Sequence, residues 1–253
     1  MKALLQAELL KVQSTRTTVG LLLATLAFVA LTTVVSIPQA GDVTAPISFD
    51  DPGLLAGAVG SSFGVPQVVM LLLGAMVFTQ EFRYGTVTST YLGEPRRTRI
   101  LVAKWLALII SSVAITIATV AVSLPVGTVL INSRGGDITI AALFWQMFAA
   151  GFVVMAAYGV IGVALGALLR NQIVAVIVVL VWMLVVEQIV IHAYPAIGRW
   201  MPGGAAYALM QQAPANGLDD KLLSVPSAGI LLAAYLSMAV VLALRLTPKR
   251  DVL

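Results

Sequence analysis

Six long apolar stretches divide the chain, and its charged residues lie almost entirely in the segments between them. The stretches cover residues 18–37, 54–79, 101–131, 140–169, 173–193 and 225–246. A helix needs about 20 residues to cross a hydrocarbon core of about 30 Å, so each stretch can span a membrane. Runs such as VAVIVVLVWMLVV lack the alternation of apolar and polar residues that marks a barrel strand. The pattern therefore predicts an all-α integral membrane protein with six transmembrane helices in a single domain, residues 1–253.

Two of the stretches carry further geometric information. The third is too long for a helix that runs straight across the membrane. It must tilt, kink near Pro125 or protrude from the membrane around Lys104. Only Arg170, Asn171 and Gln172 separate the fourth stretch from the fifth, which predicts a tight helical hairpin.

Composition excludes several classes of protein. Apolar residues make up 60% of the chain and charged residues 10%, whereas soluble domains carry about 25% charged residues. The chain has no cysteine, which excludes disulfides, thiol nucleophiles, iron–sulfur clusters and thiolate zinc sites. His192 is the only histidine, so no site can bind a metal through several histidines.

The charges are distributed unequally between the two sets of loops. If the N-terminus is cytoplasmic, twelve of the 15 basic residues lie inside: Lys2, Lys11, Arg16, Arg83, Arg96, Arg97, Arg99, Lys104, Arg170, Arg245, Lys249 and Arg250. The acids predicted outside are Asp42, Asp50, Asp51, Asp137, Asp219 and Asp220. Because basic loops stay in the cytoplasm, both termini are predicted to be cytoplasmic. The net charge of +4 thus indicates topology and not nucleic-acid binding.

The first 16 residues predict an amphipathic helix. The apolar run that follows them is too long for the core of a signal peptide, and no A-x-A site follows it. One helical face carries Met1, Leu5, Leu9 and Val12, and another carries Lys2, Gln6 and Gln13. Such a helix can lie along the inner membrane surface. The alternative is an ordinary cytoplasmic tail.

Two connecting segments are too long to be simple turns. In the inner one, residues 80–99, Gly85 suits a helix C-terminus, Thr86 a new N-cap, Gly93 the next stop and Pro95 the first turn of the following helix. A short helix over residues 86–92 is expected, although a basic loop that only fixes topology is the alternative. In the outer one, residues 194–225, apolar residues broken by prolines predict short re-entrant or interfacial helices, since an exposed apolar coil would be costly.

The order of these motifs resembles the ABC-2 family of ATP-binding-cassette permease subunits. The matching pieces are AELLKVQSTRTT before the first span, QEFRYGTVTSTYLGEPRRTRILVAKW after the second, and VVEQIV followed by GRWMPGGAAYAL around the end of the fifth. The resemblance implies that the inner segment is a coupling helix seated in a groove of an ATPase subunit. The residues carried over by position are Glu81, Arg83, Tyr84, Gly85, Thr86, Pro95 and Arg96.

The resemblance also implies partners and a function. The chain has no G-x-x-x-x-G-K-[ST] phosphate loop, so ATP and Mg²⁺ are expected on a separate ATPase and none is expected on this chain. Six spans are half the usual complement of such exporters, which implies a second permease subunit in a homodimer or a heterodimer. The expected function is export of a hydrophobic or amphipathic compound across a bacterial plasma membrane.

Glu187 is the only acid within a predicted span, and His192 follows it at the outer interface. An ionisable residue inside a membrane is a functional candidate by default. Glu187 could bind a cationic substrate group, relay a proton with His192, or line an outer gate. Alternatively, its carboxylate could cap the free backbone N–H groups of a re-entrant helix.

Two other functional classes fit the sequence less well. Residues 60–64 match G-x-S-x-G with Ser62 as nucleophile, but no acidic residue is placed to orient the histidine of a rhomboid-like protease. A self-contained channel or secondary transporter would normally show repeat symmetry or several polar residues in its spans. A gradient that drives transport without an ATPase would identify the latter class.

Overall fold

The computed structural model describes residues 1–37, 49, 51, 53–140, 142–212 and 222–247. Its regular elements are all helical within these residues. They are α1 (Lys2–Ser14), α2 (Arg16–Ser36), α3 (Leu54–Ser61), α4 (Gly64–Arg83), α5 (Val87–Gly93), α6 (Arg97–Ser133), α7 (Ala142–Leu169), α8 (Gln172–Val181), α9 (Glu187–Ala193), α10 (Pro195–Gly198), α11 (Pro202–Leu209) and α12 (Val225–Leu246). A π-helical turn, Trp182–Val186, joins α8 to α9.

Six helical spans are long and apolar enough to cross a membrane, as the hydrophobic pattern predicts. They are Arg16–Ser36, Leu54–Arg83, Arg97–Ser133, Ala142–Leu169, Gln172–Ala193 and Val225–Arg245. The third is longer than expected because α6 begins before the apolar stretch and passes through Pro125 without ending. At about 1.5 Å per residue, its 37 residues extend well beyond a hydrocarbon core of about 30 Å.

The pair α4 and α7 forms the centre of the bundle. Glycines bring the two backbones together: a methyl group on Gly162 would overlap the carbonyl of Leu71 and the Cα of Gly74. Small residues allow this close approach where lipid supplies no hydrophobic force between helices. α6 and α12 also pack on α7, whereas α8 packs on α4 and α2 on α6.

The outer helices expose large apolar residues. Leu23 on α2, Ile177 on α8 and Ile230 on α12 are each more than half exposed. In water such a surface would be unusual for a monomer, but it suits helices that face lipid or another subunit. The six-span architecture therefore has a small-residue centre and an apolar periphery.

Several predicted boundaries were wrong. The second span is broken at Ser62 and Phe63, where the backbone N–H groups bond to carbonyls three residues back and tighten the chain. The short helix was expected to end before Gly93, but Gly93 is the last residue of α5. Pro95 lies before the first turn of α6, which begins at Arg97. In α1, Val12 is buried and Leu5 and Leu9 are half-buried, whereas Lys2, Gln6 and Gln13 are exposed, as is Met1 at the end of the helix. The acidic residue Glu8, which belongs to neither predicted face, is fully buried.

The long connecting segments contain the expected short helices. α5 occupies the inner segment, and α10 and α11 occupy the outer one. Among the acids and bases assigned to loops above, Asp42, Asp50, Asp219, Asp220, Lys249 and Arg250 lie outside the described residues. We call the end of the bundle that carries α1, α5 and Thr247 the basic end, and the end that carries α10 and α11 the opposite end.

Candidate functional site

The connection from α4 to α5 is a tight helix-terminating turn. The N–H of Thr86 donates to the carbonyl of Glu81 over 2.9 Å, and that of Tyr84 to Gln80 over 2.9 Å. Gly85 adopts φ +67°, the left-handed conformation in which a side chain is strained. The stop signal predicted at Gly85 is therefore confirmed, and it turns the chain directly into α5.

α5 is attached to the bundle through one face. Val87 is buried and Tyr91, one turn later, is half-buried. The guanidinium of Arg97 lies 4.9 Å from the centre of the Tyr91 ring, and its Nη1 donates to the carbonyl of Thr247 over 3.3 Å. These contacts connect the short helix with the start of α6 and with the end of α12.

The other face of α5 and its flanks are open. Leu92 is 80% exposed and Tyr84 67% exposed, and the side chain of Thr86 makes no cap hydrogen bond. Of the residues carried over from the family, those exposed at this end are Arg83, Tyr84, Gly85, Thr86, Pro95 and Arg96. Arg83 also donates to Gln172 at the start of α8 over 3.4 Å. The structure thus brings six of the seven residues to one surface.

Glu81, the seventh residue, points inward to a buried ionic cluster. Lys104 Nζ on α6 donates to Glu81 Oε1 and to Glu8 Oε2, both over 2.8 Å, and to the carbonyl of Val77 over 3.1 Å. Lys11 Nζ on α1 donates to Glu8 Oε1 over 2.8 Å and to Glu81 Oε1 over 2.7 Å. Two lysines and two glutamates therefore join α1, α4 and α6. We call Glu8, Lys11, Glu81 and Lys104 the ionic cluster.

The ion pairs of the cluster offset the cost of burying its charged groups. Lys104 and Glu8 are fully buried, and an isolated charge at such depth would carry a desolvation penalty of several kcal/mol. Each carboxylate contacts both ammonium groups, so the ionic cluster is neutral overall. Burial lowers the pKa of Lys11, but its hydrogen bonds to Glu8 and Glu81 outweigh burial and raise that pKa. These contacts thus favour the charged form of Lys11.

Sequence reasoning missed the ionic cluster. It placed Lys11 only in the count of basic residues, used Lys104 only for topology and for the length of the third stretch, and gave Glu8 no role. One signal was available: Lys104 lies within an apolar stretch, and a charge at such a position requires a partner. The identity of that partner depends on tertiary packing and could not be obtained from spacing.

The second candidate residue, Glu187, is fully buried at the start of α9. Its Oε1 accepts a hydrogen bond from the backbone N–H of Gly203 over 2.7 Å. Gly203 lies in the first turn of α11, where backbone N–H groups have no partner within the helix. The capping contact, one of the two alternatives for Glu187, is therefore present.

The capping contact leaves half of the carboxylate unused. Oε2 of Glu187 is buried without a hydrogen-bond partner in the described part of the chain, and so is the hydroxyl of Tyr158. Tyr158, Tyr207 and Tyr235 all lie within electrostatic range of Glu187. None of the ion pairs among the described residues involves Glu187. This acid therefore has no ion-pair partner among the described residues.

His192 is not brought together with Glu187. It is exposed, and its Nδ1 lies 2.7 Å from the carbonyl of Gln188 on its own helix. Ser62 is buried and donates to the carbonyl of Val59 over 2.5 Å. The paired proton relay of Glu187 and His192 and the serine–histidine pair of a protease therefore have no support in the geometry.

Comparison with known proteins identifies a family. The family described as ABC-2 family transporter protein has a sequence model that matches residues 4–186, well over half of the chain. The match includes α1, the α4–α5 turn, the ionic cluster and the first five spans up to the π-helical turn. A comparison with the curated proteins found no match.

Proposed function

We propose, on the premise that this chain belongs to the ABC-2 family of transporter proteins, that its basic end is cytoplasmic and docks an ATP-binding-cassette ATPase. Membership makes the chain a multi-pass membrane component of ABC-type transport. The open face of α5 carries the docking proposal, because it presents exposed Leu92 and Tyr84 within a rim of basic and hydroxyl side chains. An apolar centre with a polar rim is the usual anatomy of a reversible protein interface.

The ionic cluster supplies a path from that surface into the spans. Glu81 lies in the last turn of α4, just before the turn that leads to α5. Its carboxylate contacts Lys104 on α6 and Lys11 on α1. A displacement of α5 by an ATPase would therefore pull on the second and third spans and on α1 together. In this proposal Glu81 transmits the motion, whereas the exposed residues around it form the contact.

The proposal also includes an ATP site on the partner, a second permease subunit and a class of cargo. ATP and Mg²⁺ bind the partner ATPase, and a second permease subunit, identical or different, completes the pathway. The exposed apolar faces of α2, α8 and α12 offer surfaces for that subunit. The proposed cargo is a hydrophobic or amphipathic compound exported from a bacterial cytoplasm or inner leaflet, with α1 lying along the inner membrane surface.

Orientation can be tested directly because the chain contains no cysteine. Ser89→Cys places a thiol on exposed α5, and Thr139→Cys places one in the exposed segment after α6. A membrane-impermeant maleimide added to intact cells should label Thr139→Cys and leave Ser89→Cys unlabelled until the cells are opened. The reverse result would contradict the proposed orientation.

Docking is tested by purifying the tagged chain in mild detergent and identifying bound proteins by mass spectrometry. An ATPase with a G-x-x-x-x-G-K-[ST] phosphate loop should copurify, and a second permease in the eluate would decide between homodimer and heterodimer. Leu92→Asp should abolish the ATPase band, whereas Ile138→Asp, exposed beyond the other end of α6, should retain it. An eluate without an ATPase from wild-type chain would overturn the proposal.

A further inference from the structure

The segment that contains α10 and α11, residues 195–212, lies at the opposite end of the bundle, and we call it the lid. Hydrogen bonds connect the lid to the second, fourth, fifth and sixth spans. The bonded pairs are Gln212 with Gly57, Gln211 with Gln146, Gly203 with Glu187 and Trp200 with Tyr235. One short segment therefore joins four spans at this end.

The lid packs backbone against backbone on the fifth span. A methyl group on Gly198 would overlap the backbone of Ile191 in α9, and one on Gly204 would overlap the carbonyl of Gly198. α11 also packs on α12 through small buried side chains, namely Ala205, Ala208 and Ala228. Because packing this close leaves little freedom to shift, the lid forms one unit with α9 and α12.

The end of the lid is attached to α3 and α7 through side chains instead. Nε2 of Gln212 donates to the carbonyl of Gly57 in α3 over 2.9 Å. The same amide occupies the space beside Gly60, where a methyl group would overlap it. We call the Gly57 carbonyl and the space beside Gly60 the socket. A second, exposed bond runs over 3.0 Å from Gln211 Nε2 to Gln146 Oε1 in α7.

The backbone that carries these two glutamines is strained. Gln211 has φ +50°, a left-handed conformation that residues with a side chain rarely adopt. It ends α11 where a glycine is usual, and the N–H of Gln212 donates back to the carbonyl of Tyr207 over 2.9 Å. Strained residues of this kind are frequent at clamps and switch regions. Here the strain lies at the attachment to the socket.

We propose that the lid is a gate at the opposite end of the bundle and that Gln212, seated in its socket, is the latch. Release of the latch separates α11 from α3 and α7, while α9 and α12 stay with the lid. A neutral hydrogen bond from a flexible side chain can break and form again without unfolding the backbone, and its net contribution is modest. The inference rests on the proposed transport function, which requires the pathway to open at the end remote from the ATPase.

Two single thiols report where the lid opens, because the chain contains no cysteine. Ala206→Cys lies on the face of α11 that packs into the main core, and Ala228→Cys lies in the layer between α11 and α12. Both positions are buried. Met210→Cys, on the same face as Ala206, is a second reporter that adds no volume. The rate of labelling by a membrane-impermeant maleimide is measured on the purified chain in lipid nanodiscs.

Two variants release the latch from its two sides. Gln212→Ala removes the amide, and Gly60→Ala fills the socket with a methyl group that displaces it. Each should raise the labelling rate of Ala206→Cys about two- to tenfold, as expected for the loss of one hydrogen bond, and leave Ala228→Cys protected. Gly57→Ala is the matched control in the same helix, since a methyl group there meets open space, and it should leave both rates unchanged.

Two results would overturn the gate. Unchanged labelling of Ala206→Cys in both Gln212→Ala and Gly60→Ala would show that the latch does not hold the lid closed. Equal increases at Ala206→Cys and Ala228→Cys would show that the variants only loosen the packing of α11.

The assembled transporter separates this inference from the docking proposal. ATP should increase labelling of Ala206→Cys in the complex with the ATPase, and Gly60→Ala should reduce the size of that increase. Normal copurification of the ATPase with no effect of ATP on labelling would remove the gate and leave the docking proposal intact. Conversely, release by Gln212→Ala in a chain that recruits no ATPase would retain the latch and overturn ATP-driven transport.

Discussion

The two buried acidic sites at the ends of the bundle differ in how their charge is balanced. At the basic end, Glu8 and Glu81 share two lysines, and every charged group of the ionic cluster is paired. Towards the opposite end, Glu187 receives one backbone N–H and has an unpaired oxygen. A closed set of charges can fix three helices relative to one another. The Glu187 carboxylate instead holds the first turn of α11 against α9 through a single hydrogen bond.

The residues proposed to transmit motion and those proposed to contact the ATPase also differ in exposure. Glu8, Glu81 and Lys104 of the ionic cluster are buried beneath the proposed docking surface, whereas α5 is exposed on the face that turns away from the bundle. Residues that share one short stretch of sequence, Glu81 and Arg83, therefore have different environments. Variants at an exposed position should weaken binding of the proposed ATPase partner, whereas variants at Glu81 should weaken its stimulation.

The largest expected effect comes from breaking the ionic cluster at its centre. Lys104→Met leaves Glu8 and Glu81 with only Lys11, so one negative charge is buried without compensation. Removal of one partner from a buried ion pair costs about 3–5 kcal/mol, so the melting temperature of the purified protein should fall strongly. Neutralising one acid in the same chain by Glu8→Gln restores the charge balance between Glu81 and Lys11 and should recover part of the loss. An unchanged melting temperature in Lys104→Met would show that the ionic cluster does not stabilise the bundle.

A smaller effect is expected at Glu187, because only one hydrogen bond is at stake. Glu187→Leu leaves the N–H of Gly203 buried without an acceptor, which should cost about 1–3 kcal/mol. Glu187→Gln keeps an acceptor oxygen and should melt close to wild type. The difference between the two melting temperatures measures how much the hydrogen bond from Gly203 to Glu187 stabilises the protein. Equal melting of both variants would show that α11 does not need this acceptor.

The smallest effect concerns the pH dependence of Lys11, whose side chain is 44% exposed. Its pKa is raised from 10.5 in the folded protein. Its stabilisation is therefore fully present below the unfolded-state pKa and is lost as pH rises through the higher folded-state pKa. Between about pH 9 and about pH 12, wild type should lose more thermal stability than Lys11→Met. Lys11→Arg, which stays charged over this range, should lose less than wild type, and identical pH profiles for all three would contradict the assignment.

Much of the fold was predictable, because a membrane-spanning helix is recognised from the composition of about 20 consecutive residues. The six spans, the left-handed turn at Gly85 and the short helix α5 depend on residues near one another in sequence, and the structure contains all of them. Arg83, Tyr84, Gly85 and Thr86 follow one another before α5, and Pro95 and Arg96 follow it, so their exposure at one end of the bundle also reflects nearness in the sequence.

Features that depend on distant partners were not predictable in the same way. Pairing of Lys104 with Glu8 joins residues 96 positions apart, and nothing in either local sequence identifies the other. The inward orientation of Glu81 follows from that pairing. At the break between α3 and α4, the ring of Phe63 packs so closely on Gly151 of α7 that a methyl group there would clash with it, and the local sequence does not identify that contact. For Glu187 the capping role was one open alternative, and only the position of Gly203 revealed its partner.

The central claim is that the surface of α5 binds the ATPase while Glu81 beneath it transmits motion. The most direct test compares Leu92→Asp with Glu81→Gln in the assembled transporter, measuring both ATPase copurification and ATPase stimulation. Leu92→Asp should lose copurification. Glu81→Gln, which keeps its shape and loses its charge, should copurify normally but lose the stimulation. If Glu81→Gln loses the ATPase and Leu92→Asp retains it, the division between contact and transmission is wrong.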